Sequence, residues 1–264
     1  MENLIIFPSI DPIIFSIGSL DIRWYSIAYI LGLILGLAYM KWLNKKLDFE
    51  LNNSLINDFF LWAVLGIILG GRLGYVILYN LPYYTSEPIE IIKVWKGGMS
   101  FHGGLIGMIT SLIIFSYKNK INIFILSDLV ACSAPIGIFF GRIANFINGE
   151  LVGRVTQYKL GMIFPHIDNQ TRHPSQIYEA LLEGLLLFII LFFLTKIKSI
   201  KKKYGYLSAF FLIIYSIFRF ICEFFREPDL HIGIVFFNLS LGQIYSIPCF
   251  FFGIFIFLKK IKKA

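Results

Sequence analysis

Tyr204 to Arg226 read YGYLSAFFLIIYSIFRFICEFFR. No charged residue falls between Tyr204 and Phe218, and then Arg219, Glu223 and Arg226 arrive in quick succession. With Tyr215 they are spaced by 4, 4 and 3, which places all four on one face of a helix. The stretch is long and apolar enough to cross a bilayer, which takes roughly twenty residues. A charge at the bilayer centre costs about 2.5–3.5 kcal/mol on insertion scales, so a guanidinium inside such a segment marks a functional site by default. The reading is a membrane helix with a polar stripe.

Composition extends that reading to the whole chain. Of 264 residues, 57% are hydrophobic and only 15% charged, and the mean hydropathy is +0.74. Soluble domains carry about 25% charge. Apolar runs are spread throughout, predicting a single integral membrane domain over 1–264. The net charge of +8 comes from Lys clusters between apolar runs, which are membrane-flanking anchors rather than a nucleic-acid surface. Cys132, Cys222 and Cys249 lie in apolar segments and imply no disulfide framework; buried packing is the role expected of each. No basic start marks a cleaved leader, and the first span is expected to insert uncleaved.

Seven segments qualify as spans: about 24–43, 56–80, 98–117, 122–148, 176–196, 204–225 and 241–258. Helices are required because lipid leaves no unpaired backbone group satisfied. Segment 4–20, broken by Pro8 and Pro12, is expected to lie at the interface. Fourteen Lys and Arg residues near span ends fall on one side, including Lys201, Lys202, Lys262 and Lys263, and seven on the other. That asymmetry places the N-terminus outside and the C-terminus inside. The expected fold is an all-α polytopic membrane protein of seven transmembrane helices. Loop 149–175 would form a small outer (periplasmic-side) cap.

Three arginines, Arg72, Arg142 and Arg219, fall within spans. On this topology they share the outer membrane depth with Glu179, Glu183 and Glu223, and all four histidines (His102, His166, His173, His231) sit on that side. Arginine forks match phosphate oxygens bidentately, so a phosphate-bearing ligand at headgroup level suits the set. Gly70-Gly71, Gly97-Gly98 and Gly103-Gly104 permit close helix approach. No His/Glu pair has zincin spacing, so no metal site is expected. Ser100 and Ser175 lack the flanks of a nucleophile elbow. A transporter or channel for an anionic solute would need polar groups continuing inward, and only Asp128 and Asp58 lie there. A structural membrane protein with buried ion pairs is the third reading.

Gly141-Arg142-Ile143-Ala144-Asn145-Phe146-Ile147-Asn148-Gly149-Glu150-Leu151-Val152-Gly153 resembles the signature G-R-x-[GA]-N-F-x-N-x-E-x-x-G of the prolipoprotein diacylglyceryl transferase family. Supporting blocks run in order: Gly70-Gly71-Arg72-Leu73-Gly74-Tyr75, Gly98 to Gly104, Arg172-His173-Pro174-Ser175-Gln176 with Tyr178-Glu179, and Phe218-Arg219 through Glu223 to Arg226. The resemblance covers nearly the whole chain. It implies an enzyme of the bacterial cytoplasmic (inner) membrane with its site toward the outer face. Such an enzyme moves diacylglyceryl from phosphatidylglycerol to the lipobox cysteine of a prolipoprotein signal peptide, forming a thioether and releasing glycerol phosphate. No metal or organic cofactor is implied.

Carried over with the resemblance are Tyr25, His102, Arg142, Asn145, Glu150, Gly153, Tyr215, Arg219, Glu223 and Arg226. His102, Arg142, Arg219 and Glu223 are assigned to catalysis. His102 is the thiol's general base, and the two arginines hold the phosphate. Glu223 is either the alternative base or the partner that holds Arg219. Tyr25, Arg72, Asn145, Glu150, Gly153, Tyr215 and Arg226 are assigned to substrate binding. Arg23 stands where some relatives have His, and the loop between Glu150 and Arg172 is shorter than in some relatives.

Overall fold

The computed structural model describes residues 5–18, 20–201, 203–228, 234–236 and 239–261. His231, Lys202, Lys262 and Lys263 lie outside the described residues. The chain divides into two compact units, one of residues 1–42 and 128–264, the other of residues 43–127.

The second unit is built on two helices, α2 (Asn53–Tyr79) and α4 (Phe101–Lys118), following α1 (Trp24–Lys46). Asn52 caps α2 by accepting from the Ser54 amide at 3.1 Å, and Ser100 caps α4 by accepting from Gly103 at 3.2 Å. The helices meet along small residues every fourth position: Gly66, Gly70 and Gly74 on α2, and Gly103, Gly107 and Ser111 on α4. A methyl group added at Gly70 would lie 2.8 Å from the Gly107 Cα, and one at Gly74 would lie 2.7 Å from the Gly103 Cα. Of the three expected glycine pairs, two give one member each, Gly70 and Gly103, to this longer seam, whereas Gly97-Gly98 lie before α4 in left-handed conformation. Close backbone approach substitutes for the hydrophobic drive that lipid abolishes between helices. Between the two run α3 (Leu81–Ser86) and two 3₁₀ turns, Pro88–Ile92 and Val94–Lys96.

In the first unit, α5 (Ile123–Ile147, whose first residues belong to the other unit) delivers Arg142 and Asn145. The segment Ser175–Leu194 starts as α6 (Ser175–Glu179), passes through a π-helical stretch, Ala180–Leu186, and continues as α7 (Leu187–Leu194). After α8 (Lys198–Lys201) come α9 (Tyr206–Cys222) and α10 (Leu241–Ile261). Helix α9 begins at Gly205, a left-handed residue with φ of 95° and no side chain to cap with. Asp128 supplies the cap from α5, accepting from the Gly205 and Ser208 amides at 2.7 and 2.8 Å and from Ser208 Oγ at 2.6 Å.

Strand β1 (Ile5–Ile6) pairs in parallel with β4 (Met162–Ile163), which pairs with β5 (Thr171–Arg172). Segment 4–20, expected at the interface, thus contributes strands, since β2 (Ile13–Ile17) and β3 (Leu20–Arg23) also form a hairpin. Phe7, Val152 and Phe164 make a buried apolar cluster under this sheet, with Phe146 and Met162 against it. A further hairpin, β6 (Ile234–Phe236) and β7 (Leu239–Ser240), precedes α10.

Among the described residues five helices are long and apolar enough to cross a membrane: Trp24–Lys46, Asn53–Tyr79, Ile123–Ile147, Ser175–Leu194 and Leu241–Lys259. Tyr206–Cys222 is apolar but shorter, at 17 residues. Ile30, Ile34, Leu61, Leu65, Phe251 and Phe255 are exposed on these helices, which suits a lipid solvent and would be anomalous in water. The architecture is that of a polytopic helical membrane protein. Cys132 and Cys222 are buried as expected, but Cys249 is exposed because it sits on an outward face of α10.

Candidate functional site

Helices α5, α6 with its π-helical continuation, and α9 bring three arginines and three glutamates together in the first unit. Glu179 and Glu183 are wholly buried and Glu223 nearly so. Glu179 is the hub: its Oε2 lies 3.0 Å from Arg142 Nε, and its Oε1 lies 2.9 Å from Arg219 Nη1 and 3.3 Å from Arg226 Nη1. Glu183 faces Arg142 Nη2 at 3.6 Å and Arg219 Nη1 at 3.3 Å. Arg219 Nη2 donates to Glu223 one turn on. Glu223 accepts in turn from Ser240 Oγ, and Gly242 leaves room for it, since a methyl there would collide with the carboxylate. With all carboxylates ionised, three positive and three negative charges balance. Buried charges are tolerated only when paired in this way.

The arginines keep some exposure. The Arg142 side chain is 19% and that of Arg219 15% exposed, while Glu179 and Glu183 show none. Arg142 Nη1 takes no hydrogen-bond partner among the described residues. An anion reaching this cluster meets guanidinium edges, with the carboxylates behind them. Tyr215, one turn before Arg219, lies in the field of Glu183, Arg219 and Arg142 and stacks on Phe211 at 5.5 Å.

The segment after α5 turns sharply. Gly149 and Leu151 have φ of 66° and 57°. Asn145 Nδ2 donates to Glu150 Oε1 at 2.7 Å, and the Tyr25 side chain interacts with Asn145. Gln176 Nε2 donates to the Glu150 carbonyl and Ser175 Oγ to the Leu151 carbonyl, which ties the start of α6 to this turn. Gly153 has a backbone role: a Cβ there would stand 2.5 Å from the carbonyl oxygens of both His173 and Phe225. Its bridge to Arg226 places that arginine beside the signature.

Nearby, Arg172 donates to Asp168 Oδ2 at 2.6 Å and reaches Glu227 at 3.3 Å. That guanidinium holds the Asp168 carboxyl below the usual carboxylate range. Burial pushes His173 below the ordinary histidine value.

The structure therefore gathers Tyr25, Arg142, Asn145, Glu150, Gly153, Tyr215, Arg219, Glu223 and Arg226 around one region of the first unit. Glu179, Glu183 and Ser240 join them, although sequence reasoning assigned none of the three to the site. The signal was present for the two glutamates, which fall one turn apart in an apolar segment. His102 and Arg72 belong to the second unit. His102 is the second residue of α4. Arg72 is 4% exposed and directs its N–H groups at backbone carbonyls of Glu90, Ile91, Lys93, Gly97 and Gly98. All five of its donors are engaged by these carbonyls.

Fold and site together define a class: a multi-helix membrane protein with a buried, charge-balanced arginine–glutamate cluster whose arginines are its more exposed members. The sequence profile described as prolipoprotein diacylglyceryl transferase matches residues 12–259. Proteins named phosphatidylglycerol–prolipoprotein diacylglyceryl transferase are similar throughout. That of Rickettsia bellii (strain OSU 85-389) is 50% identical over 253 residues, covering 96% of each chain. That of Rickettsia felis is 51% identical over 247 residues, covering 94% of this chain and 95% of the relative. The chain belongs to the prolipoprotein diacylglyceryl transferase family.

Proposed function

We propose that this protein transfers the diacylglyceryl group of phosphatidylglycerol to the lipobox cysteine of prolipoprotein signal peptides. The observation that carries the reading is the Arg142–Arg219–Arg226 cluster, held by three buried glutamates beside the family signature. The sulfur attacks the glycerol carbon that bears the phosphate ester. The C–S bond forms, the C–O bond breaks, and glycerol phosphate leaves with one more negative charge than the diester carried. Fixed guanidiniums in a water-poor site stabilise charge that grows in this way. Arg142 and Arg219 hold the phosphate, with Arg226, Tyr25 and Tyr215 around the lipid head. Glu179, Glu183 and Glu223 orient the arginines, and Asn145, Glu150 and Gly153 shape the turn that presents them. A free thiol has a pKa near 8.5, so its proton needs a base. We assign that role to His102 on chemical grounds, because Glu223 is engaged with Arg219 and Ser240.

The same reading makes the chain one membrane domain of seven spans in the bacterial inner membrane. The N-terminus, the 149–175 cap and the site face outward. Support comes from the lysine asymmetry and from the pairing of β1 with β4. The anionic-solute channel draws no support from Asp128, which is engaged in capping α9. The test is reconstitution in proteoliposomes with phosphatidylglycerol and a lipobox peptide. A diacylglycerol mass gain on the peptide cysteine is expected. No gain, or equal transfer from phosphatidylethanolamine alone, would overturn the proposal.

A further inference from the structure

We propose that Arg72 is a positioning residue, seating the start of α4 and thereby setting where His102 points. This rests on the reading of His102 as the thiol's base. Arg72 Nε donates to the Ile91 carbonyl at 2.8 Å. Nη1 donates to Gly97 at 2.5 Å and Gly98 at 3.1 Å, and Nη2 to Glu90 at 2.6 Å and Lys93 at 3.3 Å. The Tyr84 ring lies 5.0 Å from the guanidinium carbon. Among the described residues no carboxylate pairs with it. The Glu90 carboxylate turns instead to Lys93 and Lys96, at 2.6 and 2.8 Å.

A guanidinium surrounded by carbonyls organises backbone. Within the 3₁₀ turns the Glu90 and Lys93 carbonyls each accept one backbone amide, from Lys93 at 3.2 Å and Lys96 at 3.1 Å, and the planar fork adds a donor to both and to the carbonyls of Ile91, Gly97 and Gly98. Lysine would bring at most three donors from one point. The chain is shaped to the fork: Gly97 and Gly98 are left-handed, with φ of 84° and 77°. A Cβ at Gly98 would meet Arg72 Nη1 at 2.9 Å and the Tyr75 ring at 2.6 Å. Two residues on, the Ser100 amide donates to the carbonyl of Gly71, the neighbour of Arg72, at 2.8 Å. Ser100 Oγ then caps α4. His102 follows two residues after that cap. With 3.6 residues per turn, a slip of one residue at the helix start swings a side chain by about 100°. Fixing Glu90 to Ser100 on Gly71 and Arg72 therefore fixes the bearing of His102.

The test uses the reconstituted enzyme, with membrane abundance and thermal stability checked for each variant. Arg72→Lys should lower kcat on the order of 10–100-fold, the scale of a small misplacement of a reacting group, while KM for phosphatidylglycerol stays unchanged. Amide exchange at residues 97–104 should quicken while that of α9 does not. Gly98→Ala, which keeps every charge, should reproduce both effects. Combined with His102→Gln, Arg72→Lys should add no further loss, since the group it positions is already gone. Losses that multiply, or a raised KM with unchanged exchange, would make Arg72 a lipid-binding group and overturn the inference. Normal turnover per folded molecule would overturn it as well. If His102→Gln alone turned over normally, the base reading would fall and with it the claim about His102. Exchange at 97–104 would still decide whether Arg72 seats α4.

Discussion

Arg72, Arg142 and Arg219 look alike in the sequence, as three charges inside apolar segments, yet the structure uses them in two ways. What separates them is the partner. Arg142 and Arg219 face carboxylates and retain partial exposure, whereas Arg72 faces backbone carbonyls and the Tyr84 ring. A carbonyl partner has no sequence signature, because every residue has one, so this difference was not legible beforehand. Glu179 and Glu183 were visible as a one-turn pair, but their link to Arg219 spans 40 and 36 positions. If Arg142 and Arg219 stabilise the leaving phosphate, replacing either with Ala should lower kcat by about 10²–10³ and change lipid KM little. Lys should rescue poorly for want of the planar fork. His102→Gln should give a defect that eases as pH rises and the thiol ionises unaided. Glu179→Gln should destabilise the protein by roughly 3–5 kcal/mol in thermal unfolding, the cost of breaking a buried pair, and by more than Glu223→Gln does. Glu179 touches three arginines with no exposure, whereas Glu223 touches one. Equal losses for the two variants would show that Glu179 is no hub.

At the scale of elements, helices were the legible part. All seven expected segments are helical over most of their lengths, because continuous apolarity is a local signal. What escaped was β-pairing: Ile5–Ile6 join Met162–Ile163 across more than 150 residues of chain, and two-residue strands carry no alternation to detect. The π-helical stretch at Ala180–Leu186 was equally invisible, since it shares the composition of the helix around it. The β4–β5 region makes a pH prediction. Its Asp168 carboxyl is depressed by Arg172, so the stability it contributes is present above the unfolded value of 3.8 and lost as pH falls below it. His173 is depressed by burial, so below 6.5 the unfolded chain takes up a proton that the folded one resists, and stability again falls. Both act in one direction. Amide exchange at residues 153–173, corrected for its intrinsic pH dependence, should rise in a first phase below pH 6.5 and a second below 3.8. His173→Asn should remove the first phase only; if both phases persist unchanged, burial of His173 is not the cause.

For the molecule as a whole, the number of crossings is the open quantity, and parity bears on it. Strand β1 pairs with β4, so the N-terminus and loop 149–175 must share one side of the membrane. Between them lie α1, α2, α4 and α5. Counting only helices that are both long and apolar enough omits α4, which leaves three crossings and puts the two strands on opposite sides. Four crossings would keep them together, which supports the proposal that α4 crosses. The same reasoning applies to α9. Ser175, at the start of α6, is bonded to Leu151, and Arg226, just past α9, is bridged to Gly153. Both lie beside the same loop, so an even number of crossings separates them, which supports the proposal that the short α9 is the second of two. Helix α10 starts from Ser240, bonded to Glu223, and adds one more. On the proposed topology this gives seven crossings with the termini on opposite sides, and the lysine-rich ends support an inner C-terminal side. A cysteine-labelling map checks this with an impermeant maleimide in a background lacking Cys249. Lys159→Cys should label in intact cells, while Asn119→Cys, beyond α4, and Lys198→Cys, before α9, should label only after permeabilisation. Labelling of Asn119→Cys from outside would remove α4 from the spans. The β1–β4 pairing would then be incompatible with the membrane, so the strand register and the seven-span count stand or fall on the same measurement.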